Sequence, residues 1–364
     1  MTSTTPAPIP DASRRHWLAS ALAAPSLGLM GCSSLGSTPS NMAASTNSPA
    51  AFGHAWHMPG VRYIDLPAAR LPGSTTERQH RVMVYVPQGP APAQGWPVIY
   101  VLDGNLMFPL LAQLMHNRGG RGAEMRGASA VIVGLGHALP AGSAEVHDRA
   151  ARTYDYTLPF EGVGPDSQGR AQGGADVFLD WMAQQLQPML HTQLPLHAQQ
   201  QTLVGHSYGG LFTLHTLFTR PAMFQQYVAA SPSLWWGNGI VLEEAVQFMQ
   251  RYQSGSTPLP TAMRLYLSQG SEEIAGRTDP RRTPNPEREA SARQAQARAR
   301  MHGLTNAAAL AQALRQVPQL HTEHDIWPGA NHGGTQLYAC MQAARVGVDW
   351  SRSEATVATP RPAS

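Results

Sequence analysis

Lysine is absent from this sequence: the 26 positions counted as Lys plus Arg are all arginine. Any anion site must therefore use guanidinium forks, which suit planar oxyanions. Cysteine is almost absent too, with only Cys32 and Cys340 among 364 residues, so no disulfide framework is implied. The net charge is only +3, the arginines are dispersed, and no nucleic-acid-binding motif accompanies them, which sets nucleic-acid partners aside. There is no internal repeat. The modestly apolar run from Leu18 to Gly31 is too short, and too rich in Gly, Pro and Ser, to span a bilayer. No metal site and no cofactor are expected.

What the N-terminus does contain is an address. Ser13-Arg14-Arg15-His16-Trp17-Leu18 reads as a twin-arginine signal, and Leu29-Met30-Gly31-Cys32 resembles a bacterial lipobox. This organisation predicts a signal peptide over 1–31 and a lipid on Cys32; a plain cleaved signal with an incidental cysteine is the alternative. The Ser, Thr, Pro, Ala and Asn-rich stretch over 32–59 cannot bury a core and reads as a flexible tether. One large α/β domain is expected over 60–352, with a disordered tail over 353–364. The expected location is the periplasmic side of a Gram-negative cell, on a membrane through the lipid.

Within the domain, strands and helices alternate. Strands are predicted over 61–66, 80–87, 97–102, 128–135, 202–205, 227–230, 263–268 and 324–327. Helices are predicted over 107–116, 175–190, 210–218, 242–252, 288–301 and 307–317. Runs such as Pro97 to Leu102 are apolar throughout, as in strands covered on both faces. The alternation argues for a mostly parallel central sheet with helices on both faces. Two segments, 137–174 and 271–287, fit neither element type. Both follow strands at their carboxyl ends, where open α/β sheets bind ligands, so they are expected to wall or partly lid a site.

The sharpest motif is Gly205-His206-Ser207-Tyr208-Gly209, directly after the apolar Thr202-Leu203-Val204 and before a helical pattern. A serine in this G-x-S-x-G context sits on a strand-to-helix elbow with its hydroxyl presented above an α/β-hydrolase sheet. A β-carbon at 205 or 209 is expected to crowd the turn. Such a serine needs a base, and the base an orienting acid, in the chain order serine, acid, histidine. Among 15 histidines, His332 follows the last strand on the Gly-rich loop 328–334. The acid is expected just past the strand ending at Gly270. Glu273 is favoured over Glu272, Asp325 lies within the final strand, and a Ser-His dyad remains open. The oxyanion hole should use the amides of Tyr208 and Asn105. Asp103 precedes Ser207 in the chain, which argues for a structural role. The Arg152-Tyr154-Asp155 cluster reads as a hydrogen-bonded staple of the long loop.

The runs Thr202–Leu214, Thr219-Arg220-Pro221 and Ala229–Trp236 resemble the exported siderophore trilactone esterases, within the esterase D-like group of α/β-hydrolases. Tyr100–Asn105, Arg152–Thr157 and Gly173–Asp180 resemble them as well. The resemblance implies an α/β-hydrolase that cleaves esters in catecholate-serine trilactones, with or without ferric iron, through an acyl-enzyme on Ser207. It implies Ser207 and His332 as nucleophile and base. The Arg and Pro-rich stretch 276–286 has no counterpart in the family pattern. Trp235 and Trp236 are expected to stack on aromatic substrate rings, at least one of the two packing in the core instead, with Arg281 meeting negative charge. Two other readings stay open: a general carboxylesterase, feruloyl esterase or acyltransferase, and a non-catalytic ligand-binding lipoprotein. The intact Ser207, Glu273 and His332 set speaks against the last.

Overall fold

A computed structural model describes residues 57–350 except 120–128, 141 and 276–284. The signal segment, Cys32, nearly all of the tether, the tail, and Arg281 with Arg277 and Arg282 lie outside the described residues.

Eight strands form one sheet: β1 (Val61–Ala68), β2 (Arg78–Tyr85), β3 (Trp96–Val101), β4 (Val131–His137), β5 (Leu196–His206), β6 (Gln226–Ala230), β7 (Met263–Gly270) and β8 (Leu320–Trp327). Their spatial order is β1-β2-β4-β3-β5-β6-β7-β8. The β1–β2 and β2–β4 pairs are antiparallel; every other pair is parallel. Each strand predicted from the sequence overlaps one of these strands. All residues of β4 and β6 are buried, because helices cover both faces of the sheet. On one face Ile99, Val101, Val204 and Val228 pack against α1 (Gly104–Gly119) and the last helix, through Leu111, Met115, Ala339 and Ala343. On the other, Tyr100, Leu203, Leu265 and Leu267 meet Phe178, Phe212 and Phe248. Each such side chain contributes about 1.5–3 kcal/mol by leaving water. The strand order reverses at β3, whose neighbours are β4 and β5. Open α/β sheets bind ligands at the carboxyl ends of their strands beside such a switch point.

The remaining helices are α2 (Arg149–Tyr156), α3 (Ala175–Trp181), α4 (Gln187–Gln193), α5 (Tyr208–Thr219), α6 (Ile240–Tyr252), α7 (Ser271–Ile274), α8 (Pro286–Met301), α9 (Ala307–Leu314) and α10 (Thr335–Val346). A π turn over Met182–Leu186 joins α3 to α4. Three helices depart from the sequence expectation. α2 lies inside the segment expected to be structureless, started by the Asp148 carboxylate accepting from the Ala151 amide at 3.0 Å. α10 follows the His332 loop directly, without a side-chain cap. The described part of the 271–287 segment also forms the short α7.

Helix α5 is buried from Gly209 to Phe218, and its apolar character runs all round, as a core helix requires. Its one imidazole, His215, is held between two carboxylates: Nδ1 lies 2.9 Å from Glu244 Oε1 and Nε2 lies 3.4 Å from Asp176 Oδ1. Burial alone would lower its pKa, but the hydrogen bonds to Asp176 and Glu244 win and push it up to about 9. A pKa raised on folding stabilises the native state below the unfolded value of about 6.5, and that contribution is lost as pH rises through about 9. The melting temperature is therefore expected to drop by several degrees between pH 7 and pH 10. In the His215→Gln variant this alkaline drop should be largely absent, which thermal melts across that range will check.

Candidate active site

The elbow is built by backbone geometry. Ser207, between β5 and α5, has φ 60° and ψ −116°, a conformation that a non-glycine residue keeps only when its surroundings enforce it. The enforcing contacts are the Ser207 amide on the Ala230 carbonyl and the Ser233 amide on the Ser207 carbonyl, both 3.1 Å. A β-carbon at Gly205 would come within 2.1 Å of the Gly209 carbonyl oxygen. At Gly209 the expectation of crowding is corrected: a β-carbon there would approach nothing closer than 3.4 Å. The second tight position is Gly210, where a β-carbon would come within 2.9 Å of the Ala230 carbonyl oxygen.

The structure brings Ser207, His332 and Glu273 into one line. Ser207 Oγ lies 3.0 Å from His332 Nε2, and His332 Nδ1 lies 2.7 Å from Glu273 Oε2. A carboxylate only accepts, so Nδ1 carries the proton and Nε2 is left to receive the serine hydroxyl's hydrogen. Glu273 stands at the end of α7, and its Oε1 also accepts from the Gly270 amide at 2.9 Å and the Ser231 hydroxyl at 2.6 Å. Burial would raise its carboxyl, but the hydrogen bonds from His332, Ser231 and Gly270 hold it below the ordinary glutamate value. Acid turn and base loop are tied together. The Glu272 amide donates to the Ala330 carbonyl at 3.1 Å, and the Gly329 amide to Ser271 Oγ at 2.9 Å. A β-carbon at Gly270 would sit 2.1 Å from the same Ala330 oxygen, so glycine is needed for this approach. Asp325 is not part of the line; it accepts from Gln342 Nε2 at 3.1 Å.

Beside the elbow, Asp103 (φ 51°) is gripped by Arg152 through Nε–Oδ1 and Nη2–Oδ2 bonds of 2.6 and 2.8 Å. Burial would raise its carboxyl; the Arg152 charge and hydrogen bonds bring it below the usual range. Its role is to hold the loop after β3. Asn105, the second residue of α1, turns its side chain to His137, donating to the carbonyl at 3.1 Å and accepting from the amide at 2.9 Å. The group expected to serve the oxyanion is its backbone amide, near the start of α1. The Tyr208 amide is the first of α5. His206 donates Nε2–H to the His332 carbonyl at 2.7 Å, and burial, followed by the nearby His332 charge, lowers its pKa to about 4. It stays neutral and steers the base loop.

The two tryptophans separate. Trp236 is buried, its Nε1 donating to Gln172 at 2.8 Å and its ring edge-on to Phe160; it is the one of the pair that packs in the core, as expected of at least one, and its place among the substrate contacts is corrected. Trp235 is half-buried, with the Arg288 guanidinium 4.5 Å from its ring centroid and the Tyr208 ring beside it, centroids 6.1 Å apart. Arg288 escaped the sequence reading because α8 is dense in charge and reads as a solvated helix. Ser291 Oγ of α8 donates to the Trp235 carbonyl at 2.7 Å, and the two insertions touch where the Ser167 amide donates to Glu287 at 2.8 Å.

Among the described residues, His80, His137 and Asp155 are the one group with metal-ligand spacing, their donor atoms within 4.8 Å of one another. Arg78 already forks both Asp155 oxygens at 2.7 and 2.6 Å. A cation there would face a guanidinium, and the group instead staples α2 to β2 and β4.

A family described as "Putative esterase" matches residues 73–323. Ferri-bacillibactin esterase BesA of Bacillus subtilis is 32% identical over 210 residues, covering 57% of this chain and 70% of the relative. The siderophore triacetylfusarinine C esterase of Aspergillus fumigatus is 34% identical over 178 residues, covering 49% of this chain and 56% of the relative. The solved siderophore hydrolase EstA of Aspergillus nidulans superposes with a TM-score of 0.63 at 26% identity, over 80% of this chain and 95% of its own.

Proposed function

The chain belongs to the esterase family and is a serine ester hydrolase, and from that premise we propose that it is exported and opens the ester bonds of siderophore-type trilactones. The observation that carries this reading is the Ser207–His332–Glu273 line, with Tyr208, next to the serine, in ring contact with Trp235, over which Arg288 lies. The named relatives act on siderophore esters.

In the proposed reaction His332 Nε2 takes the Ser207 proton as Oγ attacks the ester carbonyl. The amides of Tyr208 and Asn105 receive the negative charge that develops on the carbonyl oxygen. The imidazolium, its Nδ1–H held on Glu273, then protonates the departing alcohol, and water releases the acyl group by the same steps in reverse order. The Trp235 face and the Arg288 charge suit an aromatic, anionic ester. Arg281 is proposed to add to that charge. The twin-arginine run and Cys32 support export and attachment to a membrane by lipid.

A catecholate trilactone should be hydrolysed with a higher kcat/KM than p-nitrophenyl acetate. Trp235→Ala and Arg288→Gln should each lower the first by about 3–30-fold, as loss of a partly desolvated stacking or cation–π contact does, and leave the second within about threefold. A preference for short neutral esters, indifferent to both substitutions, would replace this reading with a general carboxylesterase.

A further inference from the structure

Two buried hydroxyls lie behind the Glu273 carboxylate and have no part in the proton transfers just described. Ser231 follows β6 directly, is 2% exposed, and keeps φ 43° while its amide donates to the Ser268 carbonyl at 2.7 Å. Thr335 opens α10 and is fully buried. Ser231 Oγ donates to Glu273 Oε1 at 2.6 Å and lies 2.8 Å from Thr335 Oγ1. Thr335 Oγ1 in turn lies 2.8 Å from the carbonyl oxygen of His332 itself.

Acid and base are thus joined twice: directly, and through two hydroxyls contacting the far oxygen of the acid and the backbone of the base. The hydrogens decide how this second path works. There are three contacts and two hydroxyl hydrogens. An ionised carboxylate can only accept, so the Ser231 hydrogen is fixed on Glu273. The Thr335 hydrogen then serves either Ser231 Oγ or the His332 carbonyl, which already accepts from His206. Either choice leaves Oε1 with two donors, Ser231 and the Gly270 amide, and so leaves Oε2 for Nδ1 of His332. Hydrogen bonds in such a chain polarise one another inside a dry interior.

We propose that Ser231 and Thr335 are positioning residues of the active site, a hydroxyl pair that holds the Glu273 carboxylate in the rotamer from which it orients His332. The proposal rests on the reading of Ser207, His332 and Glu273 as the working set. A residue that merely packs between β6 and α10 would affect stability. A residue that acts through Glu273 affects turnover, and only while the carboxylate is there.

That difference gives the test, using p-nitrophenyl acetate so that the identity of the natural substrate is not involved. Loss of one charge-assisted hydrogen bond converts to about 10–100-fold in rate. Ser231→Ala is expected to lower kcat by that factor with KM within about threefold. In the Glu273→Gln background the same substitution should cost less than about twofold, since the group through which it acts is gone. Thr335→Val keeps the side chain's volume and removes its hydroxyl; it should lower kcat about 5–20-fold, whereas Thr335→Ser should stay within about threefold. If Ser231→Ala fails to fold, the Thr335 pair decides. An equal cost of Ser231→Ala in both backgrounds, or a Thr335→Ser as impaired as Thr335→Val, overturns the proposal. Retained activity in Ser207→Ala would instead overturn the reading on which it rests.

Discussion

Ser207→Ala is expected to reduce kcat by about 10⁴–10⁶-fold on every ester tested, while the melting temperature stays within a few degrees of the parent. The nucleophile alone carries the bond-making step, and no other hydroxyl replaces it. Ser233 Oγ lies 3.4 Å from Ser207 Oγ, but it has no contact to His332 and no base to deprotonate it. Stability should hold because the strained backbone at 207 is kept by main-chain bonds to Ala230 and Ser233, which alanine retains. Residual activity then comes only from binding and from the oxyanion donors. A purified variant with near-parental turnover, or one still covalently labelled by a fluorophosphonate, would remove Ser207 from its role.

How far the site could be read from the chain depended on how local each part is. The elbow is local: a strand, a turn and a helix within about twenty residues leave their mark in Thr202–Phe218. The strands were legible because residues buried on both faces write continuous apolar runs. α2 was not, since its inward side carries polar groups: Asp155 and Arg152 are satisfied by Arg78 and Asp103, far away in the chain, and periodicity registers only apolar faces. α10 was hidden by the glycines before it and by Gln342, which is buried where an apolar residue would have marked a core face. The difference between Trp235 and Trp236 is one of direction around a tight turn at Gly237 and Asn238, both at positive φ. The Ser231–Thr335 contact spans 104 positions, a pairing that exists only once β6 and α10 are packed.

The acid of the site gives the second large effect. Glu273→Gln is expected to lower kcat by about 10²–10⁴-fold, and Glu272→Gln and Asp325→Asn by less than about threefold. Glu273 Oε2 fixes the hydrogen of His332 on Nδ1 at 2.7 Å and so turns the Nε2 lone pair toward Ser207. A glutamine amide turned to present its NH₂ group to Nδ1 would hold the opposite tautomer, with the hydrogen on Nε2, and the serine would then face a donor instead of a base. The imidazolium formed during attack would also lose its only paired carboxylate among the described residues. Because the hydrogen bonds around Glu273 hold its carboxyl below the ordinary value, it stays ionised throughout the neutral range, and its contribution weakens only as pH falls through that lowered value. Glu272 meets the base loop through its backbone amide on Ala330, which the glutamine variant preserves. Asp325 is engaged by Gln342 on the flank of β8. Turnover of the three variants on one ester at neutral pH separates these roles. Equal and small losses in all three would describe a Ser207–His332 dyad in which no carboxylate orients the base.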